Sequence, residues 1–285
     1  MHTAIDFGIT NIDAVAYVGG ALRRWTQPSD SAPTSELVRD VLATGGIDLG
    51  SLRRLAVTGG RHRALPERIG DCTVVGVGEI QAIGCGGQAL VMLAGGDGDA
   101  PLLVVSAGSG TAVVAARGVE YMHITGSGVG GGTLLGLARP LLGTTDPHAI
   151  DVLAQQGDPN GVDLSLADVI TGPIGRLPAD ATAVNFGRLA RHDLAASRED
   201  LAAALVTLVG QVIAVTAINA ARAQQIEHVV VTGHLTDMPS VRRVLELVGG
   251  YYGMPLILPP DAGYATALGA LHSILPLPED LSGRD

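Results

Sequence analysis

Short apolar runs separated by glycine turns open the chain, and helical patterns alternate with such runs further along. Thr3–Phe7 and Ala14–Val18 are apolar segments of strand length, and Gly8-Ile9-Thr10 between them predicts a tight turn. Ser35–Ala43 has helical periodicity, with Ser35 as its candidate N-cap. Alternation of strands with helices predicts an α/β protein.

The rest of the chain continues this alternation. We predict further strands where short β-branched runs end at glycine or polar residues: Leu55–Thr58, Val74–Val77, Leu102–Ser106, Ala112–Ala116, Tyr121–Thr125, Val229–Val231 and Leu256–Leu258. We predict further helices where apolar residues recur at helical spacing: Glu79–Leu93, Thr133–Leu142, Asp146–Gln156, Glu199–Gln225, Met238–Val248 and Ala262–Ile274. Asp158–Pro178 is polar and rich in glycine and proline, so we predict mostly loop there.

One arrangement occurs twice along the chain. An apolar strand, a turn of small residues that ends in Thr10 or Thr111, and a returning strand recur about 100 residues apart. Such duplication implies two similar lobes with a cleft between them, where small ligands usually bind. Gly95–Asp99 is the candidate boundary, so we expect an N-terminal lobe of residues 1–98 and a C-terminal lobe of residues 99–285.

Charge and composition narrow the class of function. The formal net charge is -10, whereas nucleic acids and anionic membranes bind positive surfaces, so we expect neither partner. All 18 basic residues are arginine, which excludes chemistry that needs a lysine. The chain has 2 cysteines, no basic leader at its start and no unbroken apolar run of membrane length. We therefore expect a soluble cytoplasmic protein.

The two repeated turns are candidates for phosphate binding. Asp6 ends an apolar strand beside Gly8, and a glycine turn can direct its N–H groups at an anion. A carboxylate at this place suits Mg²⁺, which prefers one or two carboxylates together with phosphate oxygens. Gly108-Ser109-Gly110-Thr111 repeats the turn. Either turn alone fits an ordinary hairpin, but their equivalent positions favour a polyphosphate site.

A third glycine run, Gly126–Gly132, precedes a predicted helix, and the N–H groups at a helix N-terminus attract phosphate. Its spacing also satisfies G-x-G-x-x-G, but a dinucleotide site needs an acid at the end of a second strand about 20 residues on. Asp146 and Asp151 fall instead in a helical stretch. Gly233 follows the strand Val229–Val231 and fits either an adenine contact or an ordinary turn.

Two further residues have positions of chemical interest. Glu79 begins a predicted helix, where a carboxylate either complements the helix dipole or serves as a general base for a hydroxyl group. His123 lies just before the third glycine run.

Together these features resemble the ATP-dependent kinases of the acetate-kinase, sugar-kinase, Hsp70 and actin superfamily. That superfamily has a two-lobed, duplicated actin-like ATPase (ribonuclease H-like) fold, with the nucleotide in the cleft between the lobes. Within it the chain looks most like the type II pantothenate kinases. The resemblance runs from Ala4 to Ile274, and four stretches carry it most specifically: Gly126–Leu142, Gln156–Leu164, Thr182–Gly187 and Gly263–Leu271.

The resemblance implies a reaction and an assembly. The reaction is ATP-dependent phosphorylation of the primary hydroxyl of pantothenate, the first step of coenzyme A biosynthesis. The assembly is a homodimer with the long helix near Glu199–Gln225 at its interface.

The resemblance also implies roles for single residues. Asp6 would position Mg²⁺, directly or through water, and Glu79 would take the proton from the hydroxyl of pantothenate. The nucleotide would be held by residues of the glycine turns: Gly8, Thr10, Gly108, Ser109, Gly110, Thr111, Gly128, Gly130 and Gly131, with Gly233 beside the adenosine. The acceptor would lie near His123, Thr125, Gly126 and Tyr264.

Departures from the family pattern leave other functions open. Asp13 stands where the family has a lysine, His123 where it has an arginine, Ala112 where it has a serine, and Pro147 near an aromatic position. One alternative is a kinase for another small hydroxyl compound. Another is a pseudokinase or sensor that binds nucleotide or acyl-CoA without turnover.

A third alternative is the ATPase activator of 2-hydroxyacyl-CoA dehydratases, which shares the fold. It needs an iron–sulfur cluster at its dimer interface, and such clusters are held by cysteine thiolates. Cys72 and Cys85 from two chains would have to supply them.

Overall fold

The computed structural model describes residues 1–172, 174–191 and 195–275. These residues form two compact units. Unit 1 comprises Met1–Val104, Val114–His123 and the segment from Gly263, and unit 2 comprises Val105–Val113 and Ile124–Ala262. The functional lobes expected at residues 1–98 and 99–285 stay a prediction, and residues 173, 192–194 and 276–285 of the second lie outside the described residues.

The elements alternate as the sequence indicates. The strands are β1 (His2–Phe7), β2 (Asn11–Val18), β3 (Ala21–Pro28), β4 (Arg54–Thr58), β5 (Arg68–Ile69), β6 (Cys72–Gly76), β7 (Leu102–Ala107), β8 (Thr111–Arg117), β9 (Glu120–Ser127), β10 (Leu164–Ser165), β11 (Thr182–Val184), β12 (His228–Thr232) and β13 (Leu256–Ile257). The helices are α1 (Ser35–Thr44), α2 (Glu79–Leu93), α3 (Gly131–Leu142), α4 (Pro147–Gln156), α5 (Leu166–Val169), α6 (Arg198–Gln224), α7 (Pro239–Tyr251) and α8 (Ala265–His272).

The first sheet has the strand order β3-β2-β1-β4-β6-β5. Strands β1 to β3 form an antiparallel meander, whereas β1, β4 and β6 are mutually parallel neighbours. The second sheet has the order β13-β12-β7-β8-β9. Read from β9, these five strands repeat the order β3-β2-β1-β4-β6 of the first sheet, in which β5 is an additional edge strand. The predicted duplication and the actin-like ATPase fold are therefore confirmed.

Apolar residues alternate along the strands of the first sheet and cover both its faces. Ile5 and Ile12 pack with Val38 and Leu42 of α1 on one face. Ala4 and Val15 on the other face pack with residues of α2 and α8, which include Ala82, Ala267 and Leu271. The C-terminal helix α8 therefore belongs to the core of unit 1.

Small residues let α2 and α8 approach each other closely. A Cβ atom built on Gly86 would lie 2.0 Å from the carbonyl oxygen of Ala265, and one on Gly269 would lie 1.9 Å from that of Ala82. The glycine-rich stretch around Cys85 is therefore explained by backbone contact between helices, because a side chain at either glycine would collide with the partner helix.

The long helix α6 is mostly buried and packs against α3, α4 and α7 in unit 2. Among the described residues it is the one helix long and apolar enough to cross a membrane, yet 67% of its most apolar window is buried inside the protein. Core helices of soluble proteins pass the same test of length and composition, so this result is weak support for a membrane span.

The structure corrects one local expectation and adds a strand that the sequence analysis left out. The N-cap of α1 is Thr34, whose hydroxyl accepts from the N–H of Leu37, so Ser35 is the first helical residue instead of the cap. The edge strand β3 was not predicted, because none of its residues is buried and Arg23 and Arg24 interrupt any apolar pattern.

Candidate nucleotide and acceptor sites

Three parallel strands of unit 1 end at one edge of the first sheet. Because β1, β4 and β6 run in the same direction, Asp6 near the end of β1, Thr58 at the end of β4 and Glu79 after β6 all belong to this carboxyl edge. In open α/β sheets, ligands bind at the carboxyl ends of the strands. The sheet order thus brings together two residues that sequence analysis selected separately, Asp6 and Glu79.

Asp13 shares this edge with Asp6. The two residues are direct partners in the antiparallel β1–β2 ladder, and Thr58 is the partner of Asp6 in the parallel β1–β4 ladder. Directly opposed residues of an antiparallel pair project from the same face with Cβ atoms about 5 Å apart. Asp13 is only 6% exposed. The first glycine turn is therefore flanked by two carboxylates.

The surroundings of Asp6 fit a divalent cation. Gly59 has φ +93°, and a Cβ atom there would lie 2.8 Å from Oδ1 of Asp6 and 2.4 Å from the carbonyl oxygen of Phe7. Only glycine therefore lets the backbone after β4 pass this close to the carboxylate. The hydroxyl of Thr58 is buried without a hydrogen-bond partner among the described residues. No group of three or more histidine, cysteine or acidic residues that could hold a metal ion occurs in the described ranges.

Glu79 is exposed at the first position of α2, after the N-cap Gly78. Gly78 has no side chain that could cap the helix. Because α2 begins at Glu79, the carboxylate of Glu79 lies at the positive end of the helix dipole. A side chain that is solvent-accessible and held at a fixed helix position can accept a proton from a bound hydroxyl.

In unit 2 the second and third glycine segments are bound to each other. The N–H of Gly131 donates to the carbonyl of Gly108 at 2.8 Å, and the N–H of Gly132 donates to that of Ser109 at 2.9 Å. The hydroxyl of Thr111 donates to the carbonyl of Val129 at 2.7 Å. The first N–H groups of α3 therefore hold the second turn, which is a use that sequence analysis did not foresee.

Close backbone contact explains the glycines of the third run. A Cβ atom on Gly130 would lie 2.8 Å from the carbonyl oxygen of Gly108 and from the backbone of Gly110. Gly128 has open space around it, and its carbonyl accepts from the hydroxyl of Thr133. Binding of phosphate by Gly128, Gly130 and Gly131 stays a prediction, and their observed contacts shape the second turn.

Gly233 lies next to the start of the second glycine turn. Its φ is +98°, its N–H donates to the carbonyl of Ala262 at 2.8 Å, and a Cβ atom would lie 2.3 Å from the carbonyl oxygen of Ala107. Ala107 directly precedes Gly108. The structure thus places the predicted adenosine residue beside the predicted phosphate turn.

The predicted acceptor residues lie on two elements. His123, Thr125 and Gly126 belong to β9, the edge strand of the second sheet, where His123 and Gly126 are exposed. Tyr264 is half-buried and packs against the apolar cluster between the first sheet and α8. A role for these residues in binding the acceptor stays a prediction.

The two cysteines differ in their surroundings, since Cys72 belongs to an apolar cluster and Cys85 lies beside Tyr121 and Ser273. Cys72 is buried on β6, and Cys85 lies on α2. Burial raises the pKa of both thiols. A raised pKa keeps both thiols protonated at neutral pH, so neither has the lowered pKa of a reactive thiolate.

Sequence analysis missed a buried carboxylate network in unit 2. Asp163 accepts hydrogen bonds from the N–H of Phe186 at 2.7 Å and from the hydroxyl of Thr182 at 3.1 Å. Burial raises the pKa of Asp163. Phe186 has φ +57°, a conformation that the bond to Asp163 supports. The family-specific stretches Gln156–Leu164 and Thr182–Gly187 are thus two halves of one network.

Comparison of structures defines the class of protein. Component A of the Acidaminococcus fermentans (R)-2-hydroxyglutaryl-CoA dehydratase is similar with a TM-score of 0.60 and 17% identity, over 95% of this chain and 95% of that one. A Streptomyces griseus ROK family glucokinase in complex with glucose and AMPPNP is similar with a TM-score of 0.58 and 13% identity, over 95% of this chain and 98% of that one. At this identity the likeness shows the fold, and the chain is an actin-like ATPase-fold protein.

Comparison of sequences gives the family. The Fumble family model matches residues 96–273, more than half of the chain. The chain belongs to the Fumble family, that of the type II pantothenate kinases, and is a phosphotransferase. The type II pantothenate kinase of Staphylococcus aureus (strain USA300) is 28% identical over 259 residues, 89% of this chain and 96% of its own. That of Bacillus cereus (strain G9842) is 26% identical over 224 residues, 77% of this chain and 81% of its own.

Proposed function

We propose that the protein transfers the terminal phosphoryl group of ATP to the primary hydroxyl of pantothenate, the first step of coenzyme A biosynthesis. The observation that carries the proposal is the position of Glu79, exposed at the start of α2 on the sheet edge that also holds Asp6. A carboxylate base is needed where an acceptor hydroxyl must lose its proton, and phosphoryl transfer otherwise depends on positioning and charge neutralisation.

Asp6 holds Mg²⁺ in this proposal, directly or through water. The position of Asp6 at the carboxyl edge of the sheet, with the unpartnered hydroxyl of Thr58 on its ladder partner, supports the assignment. When bound, the metal neutralises charge on the β- and γ-phosphate oxygens.

The nucleotide is bound through backbone N–H groups of the glycine turns. In unit 1 we assign Gly8 and Thr10 to the phosphates. In unit 2 we assign the turn Gly108–Thr111 to the phosphates, the run Gly128–Gly131 to its support and to phosphate contact, and Gly233 to the adenosine. The support is that Gly233 and the turn adjoin at Ala107, and that the third glycine run braces the turn by two backbone hydrogen bonds.

The acceptor is bound near His123, Thr125, Gly126 and Tyr264. His123 is exposed on β9 and can offer a hydrogen-bond donor to an anionic acceptor. We further propose that the protein acts in the cytoplasm as a homodimer, with α6 at the dimer interface, as the resemblance to the family implies.

The experiment is an assay of ADP release from Mg·ATP with and without pantothenate. Wild-type protein should release ADP faster when pantothenate is present. Glu79→Gln should lower the pantothenate-dependent rate by about 10²–10⁴-fold, the usual contribution of a general base, and should leave the affinity for Mg·ATP unchanged.

The matched control is Glu36→Gln. Glu36 is also an exposed glutamate in the first turn of a helix, α1, so it has the same relation to a helix dipole and no predicted chemistry. Activity should be unchanged in this variant. Binding of Mg·ATP without pantothenate-dependent release in the wild type would favour a sensor or another hydroxyl acceptor.

A further inference from the structure

A cavity of about 170 Å³ in unit 1 adjoins the first glycine turn. Gly8 and Ile9 of the turn line it, together with Asp30, Gly60 and Arg61. The wall that contains Asp30 is tied to the turn, because the N–H of Ser29 donates to the carbonyl of Thr10 at 3.0 Å. One face of the first turn therefore opens on a small cavity that Arg61 helps to line.

The backbone around Arg61 is fixed on both sides. Gly59 contacts the carbonyl of Phe7 at the end of β1 so closely that only glycine fits. The ring Nδ1 of His62 lies 2.6 Å from the carbonyl oxygen of Gly59 in a hydrogen bond. The same ring lies against Gly76, where a Cβ atom would be 3.2 Å from it. The segment after β4 is thus held between the ends of β1 and β6.

The side chain of Arg61 is exposed, and no hydrogen bond or ion pair within the described ranges engages its guanidinium group. Arg63, two residues further, is also exposed but does not line the cavity. Arg61 is therefore a positive charge beside the first glycine turn, and no contact within the described residues gives it a structural role.

The carboxylates near the turn favour a further cation, besides Mg²⁺, for the binding of a polyphosphate. Asp6 and Asp13 face each other on β1 and β2, and Asp30 lines the cavity. The chain has no lysine. Guanidinium groups bind phosphate oxygens through paired, charge-assisted hydrogen bonds, and charge neutralisation is the main requirement of phosphoryl transfer.

We propose that Arg61 binds a phosphate oxygen of Mg·ATP at the first glycine turn and offsets the negative charge of Asp13 and Asp30 there. The identity of the ligand as a nucleotide rests on the proposed function. Arg61 is thus a phosphate-contacting residue that acts on the nucleotide and not on the acceptor.

Titration of full-length variants with Mg·ATP by isothermal titration calorimetry tests the proposal. Arg61→Ala should raise the Kd for Mg·ATP by about 10- to 100-fold, or about 1.4 to 2.8 kcal/mol. Arg61→Lys, which keeps the charge but not the paired N–H groups, should recover only part of the affinity. Asp30→Asn, which removes a negative charge from the same cavity, should lower the Kd about 2- to 5-fold. The two substitutions change the Kd in opposite directions because one removes a positive charge from the cavity and the other removes a negative charge.

Arg63→Ala is the matched control, because it removes an exposed arginine from the same segment but not from the cavity. Its Kd should stay within about 2-fold of the wild type. The melting temperatures of all variants should agree with the wild type, since Arg61 makes no stabilising contact. An Arg61→Ala Kd within 2-fold of the wild type overturns the proposal.

Steady-state kinetics separates the two possible ligands and the two proposals. If Arg61→Ala raises the KM for ATP and leaves the KM for pantothenate unchanged, the proposal is supported. If Arg61→Ala raises only the KM for pantothenate, the proposal is overturned and Arg61 is assigned to the carboxylate of the acceptor. If the wild type binds Mg·ATP through Arg61 but shows no pantothenate-dependent turnover, the proposed function fails and the role of Arg61 stands. If turnover occurs and Arg61→Ala is unaffected, only the role of Arg61 fails.

Discussion

Asp13 lies directly across the β1–β2 ladder from Asp6, so the first glycine turn of this kinase-family chain carries two carboxylates on one face. The sequence shows Asp13 only as a departure from a lysine position. The structure shows its consequence, which is a second negative charge beside the predicted Mg²⁺ and phosphate site. Like charges directly opposed on a strand pair repel each other and any bound phosphate.

Asp13→Asn should therefore tighten binding of Mg·ATP. The amide keeps the size of the side chain and removes its charge, and we expect the Kd to fall about 2- to 10-fold from the loss of repulsion at short range. Calorimetric titration measures this change. Weaker binding in the variant would contradict the account and would identify Asp13 as a second metal ligand.

Gly233→Ala should damage both folding and nucleotide binding. The residue has φ +98°, and a Cβ atom would lie 2.3 Å from the carbonyl oxygen of Ala107. We expect a loss of about 1–3 kcal/mol in the free energy of unfolding from backbone strain alone, with weaker binding of ATP because the turn at Gly108 shifts. Urea unfolding and ATP titration measure the two effects.

Gly136→Ala is the control for that prediction. Gly136 is exposed within α3, and nothing lies within 4 Å of the position of its Cβ atom. The substitution should stabilise the protein by about 0.5–1 kcal/mol through helix propensity. Equal effects of the two glycine substitutions would mean that Gly233 is not confined as described.

Asp151→Ala should destabilise unit 2 strongly. Asp151 is 5% exposed, and its carboxylate accepts from the N–H and hydroxyl of Ser240 at the start of α7 and from the amide of Gln155. Leaving these donors unpaired should cost about 2–3 kcal/mol of unfolding free energy. Asp146→Ala, which removes the exposed cap of α4, should cost only about 1 kcal/mol. Urea unfolding of both variants tests the difference.

Tyr121 should make stability depend on alkaline pH. Burial, with Cys85 beside it, raises the pKa of Tyr121 from 10.0 to about 12. Its hydroxyl donates to Gln88 at 2.9 Å. Because the folded pKa is higher than the unfolded one, the stability linked to the neutral phenol is complete below pH 10 and is lost as the pH rises towards about 12.

Unfolding in urea at about pH 9 and about pH 11 measures this dependence. Tyr121→Phe should lose less stability between the two pH values than the wild type. Spectrophotometric titration should show that the tyrosine with the highest pKa is absent from the variant. Identical pH profiles for the two proteins would show that Tyr121 is not buried as described.

The fold was predictable where patterns are strong. The strand–turn–strand repeat around Thr10 and Thr111 gave the duplicated sheets, and the long apolar pattern gave α6 within a residue at each end. The edge strand β3 was not predictable, because partly exposed strands lack an apolar signature. The cap of α1 was misplaced by one residue, since Thr34 and Ser35 have equivalent side-chain chemistry.

The individual residues of the candidate site could be selected from the sequence, but their positions relative to one another could not. Asp6 and Glu79 were selected from turns and helix starts, and only the order of β1, β4 and β6 shows that they share an edge. Arg61 gave no signal, because its proximity to Gly8 depends on that same strand order. The pairing of Gly131 with Gly108 was hidden for the same reason, since hydrogen bonds between loops leave no periodic pattern.

The central claim is that the chain phosphorylates pantothenate with Glu79 as the base. Mass spectrometry of pantothenate after incubation with Mg·ATP and the protein tests it most directly, with Glu79→Gln and Glu36→Gln as paired variants. The account predicts singly phosphorylated pantothenate with the wild type and Glu36→Gln, and almost none with Glu79→Gln. Absence of phosphorylated product with the wild type, or equal product with Glu79→Gln, would contradict it.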